Sequence, residues 1–192
     1  MKNWDKTYTV HLSPDFPVEL PLMDIGNGFY IYSFDMTGEA QWNRIAANEL
    51  AKKLAPFSFD GFVTVQTKSC GLAQAVTGEL GFDRYLELRK SRKPFMQEPV
   101  GISVQSITTT EKQELWIGKE KYQRFVGKKL CFLDDVVSTG GTIDAVLSLM
   151  EKLGIEITVI ACALTEGGTR SEYKGIPMVS LDNIPLPGNI AE

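Results

Sequence analysis

Residues 130–142 constrain the fold most strongly, because an apolar run there ends in two acids, hydroxyls and glycines before a helical pattern begins. Residues 130–133 are short and apolar, which is typical of a buried strand in a parallel sheet. From Thr142 the apolar residues recur at helical spacing until Gly154 ends the run. The loop between them therefore lies at the carboxyl end of a strand and the amino end of a helix, where an anion is favoured.

The composition of this loop favours a phosphate next to sugar hydroxyls. Gly140 and Gly141 allow a tight turn and a close approach to a ligand. Asp134 and Asp135 would repel a phosphate unless ribose hydroxyls, and a Mg²⁺ shared with a pyrophosphate, offset their charge. An ordinary helix cap is the alternative interpretation, but it needs only one such residue. Additional hydroxyl donors come from Ser138, Thr139 and Thr142.

The remaining pattern predicts strands that alternate with helices. Such alternation indicates an α/β fold with a parallel-stranded central sheet flanked by helices, which binds ligands at the carboxyl ends of its strands. The predicted helices cover residues 42–54, 72–80 and a stretch from 142, and the other predicted strands cover residues 62–66, 84–88, 157–164 and 178–181.

Composition fits one soluble globular domain of 192 residues, with 43% hydrophobic and 23% charged residues. The net charge of −4 and the pI near 5.2 disfavour a general surface for nucleic acid or for an anionic membrane. Three cysteines, an odd number, favour free thiols in a reducing compartment. With no apolar leader at the start of the chain, we expect a cytoplasmic protein.

Two further segments are candidate anion sites. The loop 66–71 leaves one predicted strand and enters the next helix, so its N–H groups point toward the same edge of the sheet. A basic turn, 89–94, follows the strand 84–88. The alternatives are a plain surface turn for the loop and a solvated basic turn for 89–94. A nucleophilic role for Cys70 is disfavoured because the only histidine, His11, is far away in sequence.

Residues 130–142 resemble the signature of type I phosphoribosyltransferases: an apolar strand, two acids, two small or apolar residues and a Thr-Gly-Gly-Thr-like loop. The segment 13–25 resembles the hood of adenine phosphoribosyltransferases, although Leu22 and Met23 stand where those proteins have Phe-Arg. The resemblance implies a type I phosphoribosyltransferase fold in one domain over 1–192. Residues 1–40 would contribute to a small hood, and residues 94–114 would form a mobile, flexible lid loop.

The resemblance also implies roles for individual residues. Asp134 and Asp135 would be catalytic and would hold Mg²⁺, directly or through water. Leu22 and Met23 would contact the base, or would instead be core residues. The 5-phosphate and ribose would be bound by Val136, Val137, Ser138, Thr139, Gly140, Gly141 and Thr142. The pyrophosphate would be bound by Lys68, Ser69, Cys70, Gly71, Arg89, Lys90 and Lys93, with Lys68 and Cys70 departing from the family pattern.

The implied reaction is transfer of ribose 5-phosphate from phosphoribosyl pyrophosphate to a purine base, adenine being favoured, with release of pyrophosphate. Two alternatives remain open: a regulatory protein that binds phosphoribosyl pyrophosphate without turnover, and a phosphoribosyltransferase with a non-purine acceptor. On the lid, Glu111 and Glu114 are both candidates for the general acid or base. A homodimer is expected from the resemblance alone.

Overall fold

Six strands form the central sheet of the computed structural model, which describes residues 5–105 and 112–189. The strand order is β10-β11-β9-β8-β4-β5, and all neighbouring pairs are parallel except β10 with β11. The bounds are β4 Phe62–Val65, β5 Leu86–Leu88, β8 Lys129–Val137, β9 Glu156–Glu166, β10 Glu172–Tyr173 and β11 Ile176–Ile184. The predicted α/β fold with a parallel central sheet is confirmed.

The described residues form four helices beside this sheet: α1 Ala40–Leu54, α2 Cys70–Glu79, α3 Lys119–Tyr122 and α4 Gly141–Lys152. Apolar side chains on the sheet alternate between two faces, as expected for strands covered on both sides. On one face, Cys131 and Leu133 pack into the core shared with α1 and α2. On the other face, Leu130 and Phe132 pack into the core shared with α4.

An antiparallel sheet of four strands lies beside the central one, in the order β1-β2-β3-β12. Its bounds are β1 Thr7–Ser13, β2 Phe16–Asp24, β3 Phe29–Tyr32 and β12 Gly188–Asn189. The backbone N–H of His11 donates to the Asp182 carboxylate on β11 at 2.8 Å, which ties the two sheets together. Strands β1, β2 and β3 lie in the stretch 1–40 for which the hood is predicted, whereas β12 comes from the end of the described chain.

A separate hairpin forms from β6 Val100–Gln105 and β7 Lys112–Ile117, within and just beyond the predicted lid. Its base is joined to the central domain by two backbone hydrogen bonds between Arg89 and Trp116, at 3.0 and 2.8 Å. The tip, with candidate Glu111, lies outside the described residues. Mobility of the lid stays a prediction.

The strand of the signature is longer than predicted. Asp134 and Asp135 lie inside β8 rather than after it, because Val136 and Val137 continue the pairing opposite Leu164 and Thr165 of β9. β-Branched residues favour this extension. Helix α4 begins at Gly141, one residue earlier than predicted. Within the described ranges, no helix combines the length and apolar character needed to cross a bilayer.

Candidate active site

Three loops meet at the carboxyl edge of the sheet. Val65 of β4 pairs with Leu88 of β5, and Val63 pairs with Phe132 of β8, so these parallel strands end side by side. The loop 66–69 follows β4, the basic turn follows β5, and residues 138–140 follow β8. The structure therefore brings the two predicted anion loops and the start of the basic turn to one edge.

The loop after β8, residues 138–140, turns tightly into α4, and it is called the phosphate cradle below after the ligand predicted for it. Gly140 is the N-cap of α4 with φ of +95°, a conformation that a residue with a Cβ rarely adopts. The Tyr173 ring packs against it, and the Tyr173 hydroxyl donates to the Gly140 carbonyl at 3.4 Å. By contrast, a Cβ built at Gly141 would meet no atom within 4 Å. Open space therefore lies above the first turn of α4, where a phosphate would be stabilised by free N–H groups.

The adjacent acids Asp134 and Asp135 form an electrostatically unfavourable pair. The Asp134 carboxylate accepts the backbone N–H of Asp135 at 3.0 Å. Burial, followed by the negative charge of Asp135, raises the pKa of Asp134 well above its ordinary value, although that N–H and the Ser69 hydroxyl oppose the shift. A cation or hydroxyl donors placed here would stabilise the ionised pair.

The donor chemistry of this pair fits Mg²⁺, which binds proteins through one or two carboxylates and takes its other oxygens from water and substrate phosphates. No group of three acid, histidine or cysteine side chains able to hold a metal occurs in the described part of the chain. A Mg²⁺ at Asp134 and Asp135 would therefore depend on substrate oxygens.

The loop after β4 is anchored from inside by Ser69. Its buried hydroxyl donates to the Val65 carbonyl at 2.9 Å and accepts a hydrogen bond from Thr64 at 2.7 Å. The Thr64 hydroxyl also lies 2.8 Å from the Leu133 carbonyl, which links the loop to β8. The structure thus uses the Ser69 hydroxyl to hold the loop, while Lys68 is exposed to solvent.

Cys70 is the first residue of α2 and is partly buried. Its thiol lies 3.7 Å from the Glu87 carboxylate on β5. Burial, then the charge of Glu87, raises the pKa of Cys70 to about 11. At neutral pH the side chain is a thiol, which agrees with the prediction that it is not a nucleophile.

Arg89 is the member of the basic turn that lies closest in the chain to β5, and Glu87 connects it to the loop after β4. Its guanidinium is 3.5 Å from the Glu87 carboxylate and 5.5 Å from the centre of the Phe95 ring. Lys90 is exposed and Lys93 is half-buried in the following turn. The structure therefore connects Arg89 to the predicted loop and leaves Lys90 in solvent.

The predicted base contacts Leu22 and Met23 lie next to each other on β2. Leu22 is partly buried against the core and pairs with Tyr32, whereas Met23 is 47% exposed and pairs with Ile31. Neighbouring side chains on a strand point to opposite faces. The structure accordingly packs Leu22 against the core and leaves Met23 largely exposed, and contact of either residue with a base stays a prediction.

The segment 33–39, between β3 and α1, lies beside the loop after β4, and no part of it is among the predicted site residues. Asn43 is buried in α1 and donates to the carbonyls of Met36 and Glu39 at 2.9 and 2.8 Å. A Cβ at Gly71, the second residue of α2, would lie 3.1 Å from the Asn43 amide, so a glycine allows the two helices to approach closely here. Lys68 contributes to lowering the pKa of Asp35, after the hydrogen bonds from Thr37. No sequence motif marks Asn43, because a polar residue on a helix is usually exposed.

Comparison with known proteins agrees with this geometry. The phosphoribosyl transferase domain family matches residues 36–191, so β1–β3 lie outside the matched region. A hypoxanthine/guanine phosphoribosyltransferase of Methanobacterium lacus is 35% identical over 143 residues, which cover 70% of this chain and 71% of that enzyme. The enzyme of the same name from Methanococcus voltae is 33% identical over 120 residues, 62% of this chain and 59% of that protein.

Among solved structures, the adenine phosphoribosyltransferase of Thermoanaerobacter pseudethanolicus superposes with a TM-score of 0.71. The alignment has 21% identity and covers 85% of this chain and 95% of that one, which establishes a shared fold. The family match extends over most of the chain and includes the acid pair, the phosphate cradle after β8 and the anion loop after β4. This chain therefore belongs to the phosphoribosyltransferase family.

Proposed function

We propose that the protein transfers ribose 5-phosphate from phosphoribosyl pyrophosphate to a purine base and releases pyrophosphate. The observation that carries this proposal is the placement of Asp134 and Asp135 between two loops built for anions, one after β8 and one after β4. A substrate with a phosphate at one end, a pyrophosphate at the other and vicinal hydroxyls between them is complementary to this order.

Different residues would bind different parts of the substrate. The N–H groups at the start of α4, with Ser138, Thr139 and Thr142, would hold the 5-phosphate. Asp134 and Asp135 would accept hydrogen bonds from the ribose hydroxyls. The loop 68–71 and Arg89 would bind the pyrophosphate, whose charge increases as it leaves. Catalysis would come mainly from stabilising that developing charge while the sugar acquires oxocarbenium character.

Mg²⁺ is part of this proposal. When bound, the ion would neutralise part of the pyrophosphate charge and would be held through the pair Asp134 and Asp135, directly or through water. The raised pKa of Asp134 supports this role, because the pair has an electrostatic reason to take up a cation.

Support for a purine acceptor comes from the relatives, both named hypoxanthine/guanine phosphoribosyltransferases. The solved structure described above is an adenine phosphoribosyltransferase, but its 21% identity is evidence for a shared fold only. Strands β1 and β2, which carry the adenine resemblance, lie outside the family match. The preference for adenine thus stays a prediction, with hypoxanthine and guanine as its direct competitors.

The test is pyrophosphate release from phosphoribosyl pyrophosphate and Mg²⁺ with adenine, guanine, hypoxanthine, xanthine, uracil and orotate, each product being identified by mass. We expect release with one or more purines and loss of it in the Asp134→Asn, Asp135→Asn double variant. The matched control is Asp83→Asn, which removes an exposed acid at the other end of β5. Release only with a pyrimidine would refute the purine assignment, and binding without release with any base would favour a regulator.

The family resemblance also supports a homodimer and a cytoplasmic location as parts of this proposal. Light scattering of the purified full chain at micromolar concentration tests the assembly. We expect twice the monomer mass of 21.3 kDa, and a monomer under these conditions would contradict the dimer.

A further inference from the structure

Beyond the predicted site residues, the geometry points to Glu87 as the residue that positions the pyrophosphate half of the site. This role rests on the proposed function, because it concerns the binding of that leaving group. Glu87 lies in the short strand β5, Leu86–Leu88, at the edge of the sheet, and its side chain is 30% exposed. It does not belong to either anion loop.

The Glu87 carboxylate contacts both elements that would hold pyrophosphate. One oxygen accepts a short hydrogen bond from the Gln66 amide at the start of the loop. That oxygen is also 3.5 Å from the Arg89 guanidinium. The other oxygen lies 3.7 Å from the Cys70 thiol at the start of α2. A carboxylate has about four acceptor positions, so one side chain can serve all three donors.

These contacts fix the loop at both ends. Gln66 precedes the turn and Cys70 follows it, and Ser69 anchors its middle to the Val65 carbonyl. The backbone N–H of Gln66 also donates to the Leu88 carbonyl at 2.9 Å, which places the loop and β5 in register. Glu87 therefore sets the distance between the loop and Arg89.

Without a positioning role, an acid at residue 87 would only weaken pyrophosphate binding. A negative charge beside a pyrophosphate site repels the ligand, and pairing with Arg89 reduces the positive charge available to it. Glu87 should therefore have two opposite effects on pyrophosphate binding. Its negative charge should weaken binding, whereas its contacts with the loop and with Arg89 should strengthen binding by holding the groups that bind pyrophosphate in place. This opposition makes the inference testable with two substitutions.

Glu87→Gln removes the charge and keeps the shape, whereas Glu87→Asp keeps the charge and shortens the reach. If Glu87 positions the site, both variants bind pyrophosphate and phosphoribosyl pyrophosphate more weakly, by about tenfold, the equivalent of one hydrogen bond to a charged group. A role limited to charge predicts instead tighter binding by Glu87→Gln and unchanged binding by Glu87→Asp. Asp83→Asn is the matched control and should bind as the unsubstituted protein does.

Binding is measured by calorimetry with inorganic pyrophosphate and Mg²⁺, and separately with ribose 5-phosphate. Positioning of the pyrophosphate half predicts that ribose 5-phosphate affinity changes less than threefold in both variants. Equal losses for the two ligands would show general damage to the fold and would overturn the inference. Failure of the unsubstituted protein to bind either ligand would instead refute the proposed function, and the positioning role with it.

Alkylation of Cys70 gives a second readout that does not require any ligand. Cys131 and Cys162 are fully buried, so iodoacetamide reacts selectively with Cys70 in the folded protein. The charged or titratable groups that face this thiol are Glu87, Arg89, Asp134 and Tyr85. We expect Glu87→Gln to raise the alkylation rate at pH 8 and Asp83→Asn to leave it unchanged. An unchanged rate in Glu87→Gln would contradict the contact itself.

Discussion

Substitution of Gly140 by alanine tests the phosphate cradle in two ways at once. The residue has φ of +95°, and a Cβ there would lie 2.6 Å from the hydroxyl oxygen of Tyr173. A left-handed backbone costs about 1–2 kcal/mol for a residue with a Cβ. Forcing an extra methyl into a packed contact costs about 1–3 kcal/mol. We therefore expect Gly140→Ala to lower the free energy of unfolding by about 2–5 kcal/mol.

Gly141→Ala is the matched control, because a Cβ there meets no atom within 4 Å and no left-handed φ is required. Its stability should equal or exceed that of the unsubstituted protein, since alanine is favoured over glycine in a helix by about 0.5–1 kcal/mol. Its affinity for phosphoribosyl pyrophosphate should nevertheless fall, because the new methyl group enters the space proposed for the 5-phosphate.

Urea denaturation followed by circular dichroism measures both variants, and a double-mutant cycle with Tyr173→Ala separates the two contributions. In the Tyr173→Ala background, Gly140→Ala should lower the free energy of unfolding by the backbone contribution alone, because the ring that causes the packing contribution is absent. Equal stability of Gly140→Ala and Gly141→Ala would refute the reasoning about this turn.

Three further predictions concern groups inside or beside the site. Because the pKa of Asp134 is raised in the fold, the unfolded chain loses that proton first as pH rises, so stability falls above the ordinary pKa of 3.8. Asp134→Asn should therefore melt at a higher temperature than the unsubstituted protein at pH 7 and at the same temperature near pH 2; a lower melting temperature at pH 7 would contradict the raised pKa. The Cys70 thiol should react with iodoacetamide about a hundredfold more slowly at pH 8 than a thiol with a pKa of 9, because its own pKa is about 11; a rate equal to that of a free thiol would be inconsistent with the described burial. Asn43→Ala should lower the free energy of unfolding by about 1–3 kcal/mol, because it removes two side-chain hydrogen bonds, to the Met36 and Glu39 carbonyls, of about 0.5–1.5 kcal/mol each; unchanged stability in urea would show that these contacts contribute nothing.

The order of strands and helices could be predicted because apolar periodicity and glycine breaks are local signals. The helix 42–54 and the strand 157–164 agree with α1 and β9 to within two residues at each end. The extension of β8 through the acid pair could not be predicted in this way. It depends on pairing with Leu164 and Thr165, which are distant in sequence and belong to another strand.

The family resemblance predicts a hood over residues 1–40, but apolar periodicity does not predict its strands, for a similar reason. Strand β2 contains Pro17 and Pro21, and prolines are usually found at turns and sheet edges. Strand β12 has only two residues, which pair with Phe29 and Tyr30. The antiparallel pairing of these strands is apparent only in the three-dimensional structure.

At the site, the sequence predicts the residues that belong to a motif, but it does not predict the residues that hold them in position. Asp134 to Thr142 form a fixed order that is rare outside one kind of site. Glu87 lies between two leucines and Asn43 lies on a helix, so each pattern is also compatible with an ordinary solvent-exposed residue. Their roles depend on contacts with Gln66, Cys70 and Gly71.

Calorimetric titration of phosphoribosyl pyrophosphate with Mg²⁺ into the full chain tests the central claim most directly. We predict saturable one-site binding that requires Mg²⁺, that is lost in the Asp134→Asn, Asp135→Asn double variant and that is kept in Asp83→Asn. Binding of equal affinity in a folded double variant would contradict the role assigned to the acid pair. Absence of binding to the unsubstituted protein would contradict the account of the whole site.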